Sequence, residues 1–210
     1  MELPASRKSK WPEGRIVVPA VFTFTTLTLI ATLLHIDRFH FNSTAIFAQA
    51  AAWFWLSIYA IVPPVMLVMW IRQHRIPGED PPRSAPLPIL VRVVLAAQAA
   101  IMIAWGVGLF VDPGFILVSW PWKLTLLTSR AIGAWLIGIG VFVAHAVIEN
   151  DYRRIRVGLI SFLAFGVFEI IALLRYPTSL AWMSSSAWFY VALVVSILLV
   201  GLYSMKPVAR

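Results

Sequence analysis

The fold this sequence predicts is an all-α bundle of six membrane-crossing helices arranged as three tandem hairpins, and three observations predict it. The 210 residues are 60% hydrophobic and only 12% charged, with a mean hydropathy of +0.85. That leaves too little polar surface to keep a packed globule of this size in water. Six apolar runs fill most of the chain: Ile16 to Ile36, Ile46 to Ile71, Ile89 to Val111, Ala131 to Ile148, Val157 to Leu174 and Ala187 to Met205. Each is close to the roughly 17–25 residues that cross a ~30 Å hydrocarbon core at ~1.5 Å per residue. Positive charge, the third observation, falls on alternate connections. Strands would alternate polar and apolar over about ten residues; these runs do not, so helices are left to satisfy the backbone in lipid.

Residues 1–15 form a basic tail with Arg7, Lys8, Lys10 and Arg15. The second connection carries Arg72, Arg75, Arg83 and Arg92, the fourth Arg153, Arg154 and Arg156, and the end of the chain Lys206 and Arg210. Thirteen basic residues thus lie on one side, against Arg38, Lys123, Arg130 and Arg175 on the other. The positive-inside rule places both termini in the cytoplasm, and the expected location is a bacterial inner membrane, multi-pass, with the basic loops against anionic lipid head groups. The +8 net charge does not point to nucleic acid, because the basic residues follow the spans instead of forming one polar-aromatic face.

Taken in order, the first run is too long for a signal-peptide core and lacks a small-residue cleavage site, so it is expected to remain as an anchor. Its Thr23, Thr25, Thr26, Thr28 and Thr32 suit hydroxyl bonds back to their own helix. Asn42, Ser43 and Thr44 are expected to cap the second helix, Thr128 and Ser129 the fourth, and Ser184 to Ser186 the sixth. Asn42-Ser43-Thr44 also fits a glycosylation acceptor, a triplet common by chance. Pro63 and Pro64 are expected to kink the second helix. Pro77 to Pro88 reads as a linker between hairpins, and Asp112-Pro113-Gly114 as a turn. Ala52-Trp53, Ala134-Trp135 and Ala187-Trp188 recur near the starts of the even-numbered helices, a weak internal triplication.

Candidate sites collect on the side opposite the basic loops. Glu169 lies in the fifth helix with Phe162, Phe165, Gly166, Ala172 and Leu173 at helical spacing, and a carboxylate there needs a partner. Arg130 heads a stripe of Gly133, Ala134, Ile137, Gly138 and Val141, a packing surface. The two are expected to pair, as a buried ion pair or as part of a ligand site. Trp120, Trp122, Trp135 and Trp53 are the candidate aromatic surface, either an interface belt or a platform for an apolar ligand. His35, Asp37 and His40 have metal-ligand chemistry but match no established spacing. His145 reads as a packing residue.

The segment Trp120-Pro121-Trp122-Lys123-Leu124-Thr125-Leu126-Leu127-Thr128-Ser129-Arg130 runs into the Ala- and Gly-rich fourth span. It resembles a family of uncharacterised bacterial multi-helix integral membrane proteins with a WPWxLTPLTxR-like segment in this place. Leu126 stands where that pattern has proline. The resemblance covers about sixteen residues and the six-span layout, and implies no activity.

The chain has no Cys, hence no thiolate nucleophile or disulfide, and it lacks G-x-S-x-G, H-E-x-x-H and phosphate-binding Gly loops. The leading expectation is a non-catalytic membrane protein that binds an apolar ligand, a membrane-protein partner or a second copy of itself. A small transporter or channel subunit with an outward cavity near Glu169 and Arg130 comes next, and a membrane enzyme last; no residue pattern fixes a cofactor.

Overall fold

In a computed structural model, which describes residues 14–75, 82–112, 114 and 120–206, six long helices carry the fold. They are α1 (Gly14–Leu34), α2 (Ile46–Arg75), α3 (Ile89–Val111), α4 (Leu126–Glu149), α5 (Tyr152–Arg175) and α6 (Ser185–Tyr203). All six are long and apolar enough to cross a membrane, and there is no strand among the described residues. The basic tail up to residue 13, residues 76–81 of the linker, Pro113 of the expected turn and Arg210 lie outside the described residues.

The helices run in alternate directions. Ser129 near the start of α4 bonds Leu109 at the end of α3, Thr32 at the end of α1 bonds Trp55 in the early turns of α2, and Tyr152 at the start of α5 bonds Ser204 just past α6. One end of the bundle therefore collects the basic connections and the other most of the tryptophans; they are called here the basic and the aromatic end.

Several boundaries differ from the sequence expectation for local reasons. α4 begins at Leu126, five residues early, because Thr125 is its cap and its Oγ1 accepts from the Thr128 N–H at 3.2 Å. Ser129, expected to cap, is fully buried and donates instead to the Leu109 carbonyl at 2.9 Å. α5 begins at Tyr152 because Asp151 caps it. Ser184 caps α6, accepting from the Ala187 N–H. α2 continues through Pro63 and Pro64 to Arg75. The hydroxyls of Thr25, Thr28 and Thr32 donate to the carbonyls of Val21, Phe24 and Thr28, so these buried polar groups cost the helix no unpaired donor.

Sequential hairpins α1–α2, α3–α4 and α5–α6 pack closely, and α4 is also wedged against α1. Glycine sets the close approaches. A Cβ on Gly133 would stand 2.7 Å from the Gly106 carbonyl oxygen, and one on Gly201 2.5 Å from the Leu163 backbone. In lipid no hydrophobic effect drives helices together, so such backbone approach supplies the dispersion contact that does. Between hairpins larger side chains fill the space: Leu95 and Met102 of α3, Val143 of α4, Ile155 and Phe162 of α5, and Ile197 of α6 form one buried cluster. α2 stands apart, burying only Ala52 and Pro63. The recurrent dipeptides share one structural role. Ala52, Ala134 and Ala187 are 6%, 0% and 0% exposed at helix contacts, while Trp53, Trp135 and Trp188 beside them are 54%, 55% and 61% exposed. A small residue admits the neighbouring helix and the next residue turns an indole away from that contact.

Candidate functional site

The two charges expected to pair have other partners. Glu169, six residues from the end of α5 and so ~9 Å along its axis, accepts a hydrogen bond from the Tyr190 hydroxyl of α6 at 2.5 Å. Its small neighbour Gly166 faces Leu198 of α6. Arg130 reaches the ends of α1 and α3: its Nη1 donates to His35 Nε2 at 2.6 Å and its Nε to the Phe110 carbonyl at 3.3 Å. The cause is packing. The stripe headed by Arg130 is real, but Gly133 meets α3 and Gly138 meets Phe24 of α1, so α4 offers no glycine face to α5, which it barely touches.

The four candidate tryptophans do not make one surface. Trp120 is buried and Trp122 half-buried, edge-on to each other at 4.9 Å, and both lie against Tyr190. Trp105 and Phe189 extend that cluster. Trp53 instead meets Phe41, and Trp135 meets Phe24 on the far side of α4. The His35, Asp37 and His40 set is likewise divided. His35 goes to Arg130, Asp37 pairs with its exposed neighbour Arg38 at 3.2 Å, and Asp37 and His40 line a shallow outer hollow with Phe39 and Trp53. Among the described residues no three His, Cys, Asp or Glu side chains are placed to hold a metal ion. His145 bonds the Val141 carbonyl one turn back.

Both buried carboxylates among the described residues, Glu149 and Asp151, sit at the basic end, which sequence reading passed over. α4 ends on Asn150 in the left-handed conformation, φ 46°, a conformation Asn tolerates better than most side chains. This sharp stop lets Asp151 face backward. Its Oδ1 accepts from Arg153 N (2.9 Å) and Arg154 N (3.3 Å) at the start of α5, and its Oδ2 from Ser84 N (2.6 Å) and Ala85 N (3.3 Å) in the linker. Asn150 Oδ1 accepts from Leu87 N, and Tyr152 N donates to the Ala85 carbonyl. Burial works against the Asp151 charge, but the backbone N–H groups of Ser84, Ala85, Arg154 and Arg153 outweigh it and hold the carboxyl below the usual aspartate range. Buried Glu149 is paired with Arg154 and lies 3.7 Å from Arg83. Tyr152 Oη donates to carbonyls at the end of α6, at 2.9 Å to Ser204 and 2.8 Å to Lys206. The signal was present: an Asn-Asp pair after an apolar run is a C-terminal stop followed by an N-cap. Gln98, whose Nε2 donates to Ser196 Oγ across α3 and α6, and Tyr190 carried no comparable signal.

Beside this polar knot opens a lateral groove of about 1070 Å³. α4 floors it with Trp135, Gly138 and Phe142, α1 walls one side from Ile16 to Phe24, Met66 and Met69 of α2 overhang, and α5 closes the other side from Arg154 to Phe165. Arg154 is the one charged side chain in the lining, and it lies at the basic end. Neither Glu169 nor Arg130 contributes. Its described lining is that of an apolar slot with the Ser161 hydroxyl at its edge and a guanidinium at one end. No family model, no curated protein and no solved structure matches this chain.

Proposed function

We propose that this is a non-catalytic, multi-pass protein of a bacterial cytoplasmic membrane, with both termini inside, that binds an apolar ligand between its helices. The observation that carries the binding reading is the groove bounded by α1, α2, α4 and α5. A fully packed bundle would favour a purely structural role; here an apolar space is left open to one side, at the top of the ~300–1,000 Å³ scale of ligand pockets. The location differs from the aromatic-end cavity the sequence suggested. Transport past Glu169 and Arg130 has less support, because those residues serve two separate helix contacts. The orientation rests on the sequence, which puts thirteen basic residues on one set of alternate connections and four on the other. The Trp120 to Arg130 segment supports kinship with the bacterial family that carries a similar one.

Native mass spectrometry of the protein purified in mild detergent tests the binding. A co-purifying apolar molecule is expected, lost in Ser161→Trp, which fills the groove from its exposed edge and leaves the buried cluster alone. No bound molecule, or one retained by that variant, overturns the reading. Because the native chain has no Cys, single cysteines test orientation: an impermeant maleimide should label Thr178→Cys in intact cells and Lys206→Cys only after permeabilisation. The opposite pattern refutes it.

A further inference from the structure

The groove starts at the basic end and stops short of the aromatic one. Measured at ~1.5 Å per residue from the basic ends of the helices, its lining runs from ~3 Å at Ile16 and Arg154 to ~20 Å at Phe165 and Trp135. A ~30 Å hydrocarbon core gives each leaflet about 15 Å, so the groove has the depth of one lipid tail plus its head-group margin. Its polarity is graded the same way. Below the surface it is lined by aliphatic, aromatic and methionine side chains, the last a flexible thioether lining that adapts to an irregular chain. At its basic end lies Arg154, its side chain 8% exposed and one arm of its guanidinium paired with Glu149. Arg is the side chain whose planar fork of donors matches a phosphate. The wider field agrees: among the described residues the basic end holds nine Lys and Arg against Glu149 and Asp151, a net +7, and the aromatic end four against Asp37, Asp112 and Glu169, a net +1.

From this juxtaposition we propose that the occupant of the groove is an anionic glycerophospholipid drawn from the leaflet at the basic end, its phosphate at Arg154 and one acyl chain along Gly138, Phe142 and Phe162. The inference rests on the apolar-ligand reading above and adds the ligand class and its direction. Charge complementarity selects the head group, while depth selects a leaflet lipid over a molecule that spans both leaflets. A lipid held this way is distinguished from bulk annular lipid by its head group, since annular contact is nearly indifferent to it.

The full-length protein is purified and titrated with dioleoyl phosphatidylglycerol and, separately, dioleoyl phosphatidylcholine, and bound lipid is counted by native mass spectrometry. At least a ~10-fold preference for the anionic lipid is expected, which corresponds to about 1.4 kcal/mol. Arg154→Gln should reduce that preference to ~2-fold or less. Because that change strands Glu149, the double variant Glu149→Gln/Arg154→Gln, which removes both charges of the pair, is measured alongside and should behave in the same way. Ser161→Trp should abolish tight binding of both lipids. Equal binding of the two lipids by the wild type, or an undiminished preference in the double variant, overturns the proposal. Recovery of a neutral isoprenoid or of a polyprenyl phosphate as the native ligand, displaced by Ser161→Trp, also overturns it but leaves the apolar-ligand reading standing. Absence of any ligand sensitive to Ser161→Trp sinks both.

Discussion

Replacing Asp151 with alanine removes one carboxylate and unties two junctions at once, the α4–α5 turn and the linker that leads into α3. The carboxylate is 1% exposed and accepts from four backbone N–H groups, two in α5 and two at Ser84 and Ala85. Loss of an N-cap side chain costs about 1 kcal/mol. Losing the charge-assisted bonds to the linker, taken as one unit, costs about 1.5–3 kcal/mol. The sum, about 2.5–4 kcal/mol, is a large share of the roughly 5–15 kcal/mol that stabilises a typical domain. At ~2–4 °C per kcal/mol for a chain of this size, the midpoint of thermal unfolding in detergent should fall by about 5–16 °C. Hydrogen exchange localises the effect: the amides of Ser84 and Ala85 should lose protection, whereas those in the middle of α3 should not. Asp151→Ser, which keeps a capping oxygen for α5 but cannot span both junctions, should recover only the cap. A midpoint within about 2 °C of wild type, with Ser84 still protected, would show that the carboxylate does not hold the linker.

The same residue sets a pH dependence. Its folded-state carboxyl lies below the ordinary aspartate value, so its contribution is complete above about pH 4 and is lost as pH falls through the lower folded value. The gap in melting midpoint between wild type and Asp151→Ala should therefore be constant from about pH 8 to about pH 5 and narrow below about pH 4; a gap that widens on acidification contradicts the assignment. Gly201→Val should destabilise by about 1–3 kcal/mol or more through overpacking, since its Cβ meets the Leu163 backbone at 2.5 Å. Gly158→Ala should cost less, because the nearest atom is the movable tip of the Phe142 ring. Equal melting midpoints for these two variants would count against backbone approach as the determinant of the α5–α6 contact. Glu169→Gln and Arg130→Gln should have additive effects within about 0.5 kcal/mol, since Glu169 is bonded to Tyr190 and Arg130 to His35; coupling between them would reinstate a direct pair.

How much was legible depended on whether a feature is local. Ser184 as the cap of α6 and the threonine back-bonds of α1 were readable, because each involves residues within one turn. The Thr125 cap was displaced from its expected place by three or four residues, since Thr125, Thr128 and Ser129 are all competent oxygens and only burial against Leu109 decides which of them faces inward. Asp151 carried a readable cap signal, but its reach to Ser84, 67 positions away, did not.

By itself the sequence determined the class, the number of spans and the segregation of charge to alternate connections, because lipid imposes length, apolarity and internal hydrogen bonding on every crossing segment separately. It also marked the small-residue stripes of α4. Only the tertiary structure decided which helix each stripe meets. Gly133 was spent on α3, Gly138 on α1 and Gly166 on α6, and that choice separated Glu169 from Arg130, divided the tryptophans and left a groove at the basic end. Helix partners in a bilayer are selected by shape at backbone range, and every apolar face looks alike to a reading of one strip at a time.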